Sequence, residues 1–290
     1  MSRPGTSGRG AAVLLCLILS ALPAPRRASA LHIISLAPSA TEVLFALGAG
    51  NDVVGVSTYC DYPPQVSGID RVGTFLTPNV ERILAKRPDV VVVVPSPGNR
   101  TGVESLQRLG LNILVVDPQT LSEIEDSFVT IGRAVGREQA GRDLVARLRA
   151  QIEGVRARVA DAPERKVLMV VGHAPLIAVG TGTFQDELIR LARGVNLGAQ
   201  AGGQWPHLSL EFVLAAAPEV IIDTTMGNEE QPGAEAAMAF WLRFPTLPAV
   251  AAHRVAGYRA YQILRPGPRI AEALETMARF IHPERWEPGR

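Results

Sequence analysis

The residues of this chain that could carry metal or nucleophilic chemistry lack the spacing that such chemistry requires. The histidines are scattered, and none has the near neighbours of a zinc site. The Gly-x-Ser-x-Gly turn, the Gly-x-x-x-x-Gly-Lys phosphate loop and the His-Glu-x-x-His motif are all absent from the sequence. We therefore expect a protein that is not an enzyme, binds no metal ion of its own and has no resident cofactor. The histidines are His32, His173, His207, His253 and His282.

Aromatic and proline residues follow several of the predicted strands. Ligands of α/β sheets bind beyond the carboxyl ends of the strands, so we expect these side chains to line a cleft. With few fixed charges, such a cleft suits a large, flat, partly apolar ligand with polar edges, whereas a small anion would require arginines or glycine-rich amides. The residues are Pro38, Tyr59, Asp61, Tyr62, Phe75, Pro95, His173, Pro175, Trp205, Pro206 and Tyr261.

One motif occurs twice in the chain. Residues 79–92 recur loosely as residues 209–222, an offset of 130 positions without a gap. Each copy predicts a capped helix, a glutamate in its first turn, a proline stop and a buried strand. A first-turn carboxylate stabilises a helix by about 0.3–1 kcal/mol through the macrodipole, which would explain one such glutamate. The pair Glu81 and Glu211 is better explained by a two-point contact with a partner.

The order of elements predicts an α/β fold with two Rossmann-like lobes, each built on a central parallel sheet. Helices are expected from Ser39, where Ser39 to Glu42 resembles a capping box, and over Thr183 to Leu191 and Pro268 to Ile281. The predicted strands are His32–Leu36, Val53–Ser57, Val90–Val94, Ile113–Val116, Val167–Val171, Val220–Asp223 and Val255–Tyr258.

A long amphipathic helix is predicted between the two lobes. Apolar residues recur at spacings of three and four, which marks one buried face. Such a helix would be a stiff connector that limits opening of the cleft, although an ordinary surface helix of one domain fits the same pattern. The apolar stripe is Leu144, Val145, Leu148, Ile152, Val155 and Val159. The predicted domains are a signal peptide (1–30), a first lobe (31–137), the connecting helix (138–161) and a second lobe (162–290).

The N-terminal segment has the features of a secretory signal. Arginines precede the apolar run Ala11 to Leu22, which is too short to span a bilayer, and Ala28-Ser29-Ala30 is a small-x-small cleavage site. We therefore expect export to the periplasm; a lipid anchor on Cys16 is a less favoured alternative, because Leu15 precedes it. After cleavage Cys60 would be the only cysteine, so no disulfide is expected. The net charge of +1 gives no indication of nucleic-acid binding.

Three segments resemble the cobalamin-binding members of the periplasmic binding proteins, the helical-backbone class that also serves siderophores and haem. They are Ile33 to Glu42, Val54 to Pro64 and Asn79 to Leu84. The loop Asp61-Tyr62-Pro63-Pro64 is the most specific part, and the resemblance extends over nearly all of the chain after the leader. It implies a monomeric substrate-binding protein of an ABC importer that carries cobalamin or a related corrinoid to a membrane permease.

The resemblance also implies roles for individual residues. Tyr59 and Trp205 correspond to aromatic contacts of the corrin, and Phe75 stands where a tryptophan is familiar. Glu81 and Glu211 correspond to the pair of glutamates that meet arginines on the permease. The cleft and the resemblance together predict these ligand contacts: Pro38, Tyr59, Phe75, Trp205, Tyr261, Gln262, Ile263, Leu264 and Arg265.

Two other classes of function remain open at the level of sequence. Haem or an iron siderophore is the alternative ligand within the same family, and haem would require an axial residue such as His173, His207 or Tyr59. A two-lobed enzyme of tetrapyrrole or nitrogenase type is the other alternative. Metal-cluster relatives of that kind need several cysteines, and only Cys60 lies beyond the leader.

Overall fold

The computed structural model describes residues 31–225, 233–257 and 263–287. Residues 31–290 belong to one compact unit. None of the helices within the described ranges has the length and apolar character needed to cross a membrane. The predicted signal peptide lies outside the described residues.

The first sheet contains four parallel strands in the order β2-β1-β3-β4. Helices connect the strands and cover both faces, as the all-apolar run of β3 requires. The strands are β1 (Ile33–Ser35), β2 (Val53–Val56), β3 (Val90–Val93) and β4 (Ile113–Val115). The helices of this lobe are α1 (Pro38–Ala46), α2 (Val80–Ala85), α3 (Arg100–Arg108) and α4 (Leu121–Ala134).

The second sheet follows the same plan, with one antiparallel edge strand. Its order is β6-β5-β8-β9, with β7 also paired to β5, and only β6 runs antiparallel. The strands are β5 (Arg165–His173), β6 (Leu176–Ala178), β7 (Gly194–Asn196), β8 (Val220–Asp223) and β9 (Val255–Gly257). After the connecting helix α5 (Glu138–Arg158) come α6 (Phe184–Leu191), α7 (Leu210–Ala216), α8 (Gly233–Trp241), α9 (Pro248–Ala251) and α10 (Ile270–Ile281). The two-lobed α/β fold predicted from the sequence is confirmed.

A single apolar core joins the two sheets. Ile33 and Val92 on one face of the first sheet belong to the same cluster as Val167 and Met169 of the second. Helix α5 and its C-cap Val159 contribute the predicted stripe to this core. Leu144, Leu148 and Val159 are buried, and Val145, Ile152 and Val155 are half-buried against it. The opposite face of each sheet has a smaller cluster of its own. Because the lobes share a core, they are coupled by packing as well as by the connecting chain. The exact domain boundaries stay a prediction.

The repeated motif folds alike in both lobes. In α2 the side chain of Asn79 accepts a hydrogen bond from the backbone N–H of Arg82 at 2.9 Å. In α7 Ser209 accepts one from the N–H of Phe212 at 3.1 Å. Both are N-caps that satisfy an otherwise unpaired amide of the first turn. Glu81 and Glu211 therefore occupy the same position in equivalent helices.

The exits from the two helices also match. Arg87, with φ 46°, and Ala217, with φ 52°, both take the left-handed conformation just before a proline. The residue after the proline then donates its backbone N–H to a neighbouring strand segment. In the first lobe Asp89 donates to the carbonyl of His32, just before β1, and in the second Glu219 donates to the carbonyl of Lys166 in β5. Positions that are 130 residues apart therefore have the same backbone conformation, although their side chains differ.

One predicted helix cap is wrong, and one helix start, expected at about Pro268, lies two residues later. Helix α1 begins at Pro38 with Ala37 as a cap that makes no side-chain bond, so Ser39 to Glu42 is not a capping box. The capping box of this lobe is at Thr120 and Glu123, at the start of α4, a helix that the sequence analysis did not identify. The last long helix starts at Ile270 instead of Pro268.

Replacing Ala217 by glycine is expected to stabilise the protein. A left-handed conformation costs a residue other than glycine about 1–2 kcal/mol, and glycine avoids this cost. Glycine also makes the unfolded chain more flexible, which offsets part of the gain. We expect Ala217→Gly to raise the free energy of unfolding by about 0.5–1 kcal/mol, measured by urea denaturation. The control Ala215→Gly, inside the same helix, should lower it by a similar amount. A loss of stability in Ala217→Gly would contradict the strain argument.

Candidate functional site

The carboxyl ends of three parallel strands in the first lobe open into one cavity. Pro38 follows β1, Tyr59 follows β2 and Val94 follows β3, and Arg265 closes the cavity from the segment before α10. The cavity has a volume of about 370 Å³. Its lining is Ala37, Pro38, Ser39, Tyr59, Phe75, Leu76, Val94, Arg265 and Pro266. Four of the predicted ligand contacts, Pro38, Tyr59, Phe75 and Arg265, are therefore brought together.

The apolar part of this lining is open to solvent. Tyr59 is 58% exposed, and Leu76 beside it is also exposed, while Phe75 is half-buried against the core. Large apolar side chains that lie together at the surface are typical of a binding surface, whereas single exposed ones are ordinary. The cavity is suited to contact with the flat face of an apolar ligand.

A buried carboxylate holds one wall of the cavity in place. Glu42, with its side chain 2% exposed, accepts hydrogen bonds from Arg269 at 2.6 and 2.9 Å and from Arg265 at 3.2 Å. Arg265 also donates to Asp61 at 2.6 Å. Arg269 lies 4.0 Å from the ring centre of Tyr62. We call these five residues the Glu42 cluster.

The Glu42 cluster is electrically balanced. Burial pushes the pKa of Asp61 upward, but the hydrogen bond and the charge of Arg265 outweigh it and hold that pKa below its ordinary value. The hydrogen bonds that Arg269 donates to Glu42 raise the pKa of Arg269 despite its partial burial. Two carboxylates thus face two guanidinium groups. Among the described residues that line the cavity, Arg265 is the one with a charge, and Glu42 and Asp61 neutralise it.

The second lobe has a polar cluster at the ends of β5 and β8. Asp223 is fully buried and bonds to Nε2 of His173 and to Nε1 of Trp241, each at 2.6 Å. Phe240 stacks on the His173 ring at 4.0 Å. Burial pushes the pKa of Asp223 upward, but bonds from His173, the Thr225 amide and Trp241 outweigh it and lower the pKa. An ionised Asp223 fixes the orientation of the imidazole.

Other predicted contacts lie elsewhere in the structure. Trp205 is exposed in the second lobe, in the loop whose next residue, Pro206, accepts a hydrogen bond from Ala178 of β6, and it does not line the first-lobe cavity. The side chain of Ile263 is buried in the core and that of Leu264 is half-buried against it. Tyr261 and Gln262 lie outside the described residues. As ligand contacts, these residues stay predictions.

The sequence analysis missed the role of Glu42 and Arg269. A signal was present in the pattern: Glu42 is the one charged residue of α1, and the apolar Val43 and Leu44 follow it directly. A carboxylate at such a position requires a cationic partner. Arg265 and Arg269 are four residues apart in the sequence and supply two. Among the described residues, no group of three or more His, Cys, Asp or Glu side chains is placed to hold a metal ion.

Comparison with known proteins agrees with this geometry. A family model described as periplasmic binding protein matches residues 33–261. A vitamin B12-binding protein of Vibrio cholerae is 30% identical over 251 residues, which cover 86% of this chain and 88% of that protein. The chain therefore belongs to the periplasmic binding protein family, whose members bind substrates.

Solved structures of the same fold have more than one kind of ligand. A possible iron-binding protein of Staphylococcus epidermidis superimposes with a TM-score of 0.78 at 27% identity, covering 87% of this chain and 99% of that one. A periplasmic heme-binding protein of Roseiflexus gives a TM-score of 0.77 at 25% identity, covering 88% and 99%. The fold and the family are thus shared among proteins with different ligands, so the ligand must be argued from the site.

Replacing Glu42 by glutamine is expected to destabilise the protein strongly. The substitution leaves Arg265 and Arg269 without their shared counter-charge; since both arginines are partly exposed, we expect a loss of about 3 kcal/mol, the low end for a broken buried ion pair. The measurement is urea denaturation at neutral pH. Glu104→Gln, which removes the exposed pair with Arg100, is the control and should change stability by less than about 0.5 kcal/mol. Equal effects of the two changes would contradict a structural role for the buried carboxylate.

Proposed function

We propose that this protein is the exported substrate-binding protein of an ABC importer and that it binds a corrinoid, such as cobalamin, in the cleft between its lobes. A corrinoid is larger than the first-lobe cavity, so the ligand would extend from that cavity toward the second lobe. Tyr59 and Phe75 would pack on the macrocycle from the first lobe, with Trp205 as the expected aromatic contact of the second. No covalent change of the ligand is involved.

The charge balance of the cavity carries this proposal. A corrin ring bears neutral amides on its edge, whereas haem bears two carboxylates that need cationic partners when they leave water. Of the described residues that line the cavity, Arg265 is the one cation, and it already bonds to Glu42 and Asp61. An apolar surface with a neutral rim therefore favours the amide-edged macrocycle. The 30% identity with a vitamin B12-binding protein supports the same choice.

Haem is the second candidate. The similarity to a heme-binding structure and the exposed hydroxyl-bearing ring of Tyr59 favour it. His173 is a poor axial ligand in the present geometry, because Nε2, its less hindered nitrogen, bonds to the buried Asp223. Coordination through Nδ1 would place the macrocycle close to the backbone of the same residue. Tyr59 or the exposed His207 would therefore be the axial residue of a haem complex.

Delivery to the permease would use the matched glutamates. Glu81 and Glu211 are both exposed in the first turn of equivalent helices, and neither forms an ion pair with another described residue. Two carboxylates at equivalent positions suit a partner protein that has two equivalent cationic side chains, one for each glutamate. Interactions of this kind favour encounter rate and orientation more than affinity. Cleavage after Ala30 would release the protein into the periplasm.

The choice of ligand is tested by calorimetric titration of residues 31–290. We expect saturable binding of cyanocobalamin and no saturable binding of haemin or ferrichrome. Tyr59→Ala should weaken cyanocobalamin binding by about tenfold through loss of an aromatic contact, while Leu109→Ala, at an exposed site away from the cavity, should not. Stoichiometric haemin binding with a Soret shift that Tyr59→Phe abolishes would instead establish the haem candidate.

The docking role is tested by separating uptake from affinity. In cells that lack the chromosomal copy, Glu81→Ala and Glu211→Ala should each reduce uptake of radiolabelled cyanocobalamin, and the double variant should reduce it further. Binding of cyanocobalamin by the purified variants should stay unchanged, since neither glutamate lines the described cavity. Glu153→Ala, an exposed glutamate of α5, is the control. A fall in binding affinity would place the carboxylates in the ligand site and refute docking.

A further inference from the structure

The two repeated helices share a second exposed residue besides the glutamate. Leu84 in α2 is 37% exposed and Leu214 in α7 is 43% exposed, and the two positions are 130 residues apart, as are Glu81 and Glu211. The residues one position before, Ile83 and Val213, are buried and fix the rotation of each helix. Each helix therefore turns a glutamate and a leucine to solvent together.

The glutamate and the leucine form one patch on each helix. They are three residues apart, which brings their side chains to the same side of an α-helix, about 5–6 Å between Cβ atoms. The following residue, Ala85 or Ala215, is also exposed, and its small side chain leaves the leucine accessible. Because caps and left-handed exits are alike, each patch has the same position relative to its own strand.

A single exposed leucine needs no explanation, since much of a protein surface is apolar. The matched pair is different. Outside the glutamate, the leucine and the alanine after it, the outer sides of the repeated helices differ: Arg82 in one corresponds to Phe212 in the other, and Lys86 to Ala216. Retention of exposed glutamate and exposed leucine in both copies, where neither serves the core, indicates a shared requirement at the surface.

We propose that Leu84 and Leu214 are the apolar anchors of the permease-docking surface, each inserted into an apolar hollow beside the cation that meets the neighbouring glutamate. The proposal rests on the docking function proposed above and extends it. A partner that receives two equivalent patches must present the same surface twice, which a permease of two like subunits does. Nearby cations do not interfere, because Lys86 pairs with Asp70 and Arg82 donates to the carbonyl of Arg71.

The chemistry of the patch explains why both residues are needed. Exposed ion pairs contribute little affinity and are screened by salt, so two glutamates alone would orient the protein but hold it weakly. Burial of a leucine side chain contributes without regard to salt, and apolar anchors in pockets carry most of the affinity in protein interfaces. The glutamates would increase the rate and orient the approach of the two proteins, and the leucines would prolong the lifetime of the complex.

The first test replaces each leucine by serine in the uptake assay. Leu84→Ser and Leu214→Ser should each lower cyanocobalamin uptake at limiting protein by about tenfold, and the double variant should lower it further. Cyanocobalamin affinity and the unfolding midpoint of the purified variants should stay as in the parent. Leu109→Ser and Leu242→Ser, which are more exposed leucines outside the repeat, are matched controls and should not affect uptake.

The second test identifies the partner. A photoreactive benzoylphenylalanine at position 84 or 214 should give adducts with the same permease polypeptide, identified by mass spectrometry. Adducts with a second copy of this chain or with lipid, or no adduct at either position, would overturn the proposal. Unchanged uptake in the leucine variants while Glu81→Ala and Glu211→Ala lose uptake would refute the leucine anchors alone. Unchanged uptake in both sets would refute docking through these helices altogether.

Discussion

A carboxylate that is removed from water must be matched by positive charge, and in this chain that requirement determines the shape of the candidate site. Glu42 draws Arg265 and Arg269 onto helix α1 from a point more than 220 residues further along the chain. Arg265 in turn holds Asp61, and Arg269 packs on Tyr62. The loop that presents Tyr59 and the segment that closes the cavity therefore owe their relative position to one buried charge. The same contacts neutralise Arg265, the charged side chain of the described cavity lining.

The shared core sets the mechanical character of the molecule. Residues from both sheets and from α5 belong to one apolar cluster, so a wide separation of the lobes would expose part of it to water. A hinge swing of large amplitude is unfavourable for this reason. Small adjustments of exposed side chains such as Tyr59, at the surface of the cavity, do not disturb the core. Such a frame also keeps the two repeated helices at a fixed separation, as a partner that contacts both of them would require.

Apolar periodicity predicted the elements of this fold better than short capping patterns did. The buried strands and the α5 stripe were recognised because apolar periodicity is set by the packing of the element itself. The capping box was misplaced because Ser39-Ala40-Thr41-Glu42 and Thr120-Leu121-Ser122-Glu123 have the same local pattern. The side chain of Glu123 bonds back to the backbone at Thr120, whereas that of Glu42 faces distant arginines. A four-residue pattern does not distinguish these outcomes, since the partner that decides between them is far away in the chain.

The sequence by itself determined the two-lobed α/β plan, the internal duplication and the equivalence of Glu81 with Glu211, because these follow from periodicity, helix signals and a constant offset within the chain. It also identified Pro38, Tyr59, Phe75 and Arg265 as candidates, through the ends of predicted strands and a family resemblance. Only the tertiary structure decided that these four line one cavity, that Glu42 anchors its wall and that Asp223 orients His173. It also decided that Leu84 and Leu214 face solvent. Each of these depends on which side chains from distant segments meet or stay apart, and that depends on how the elements pack.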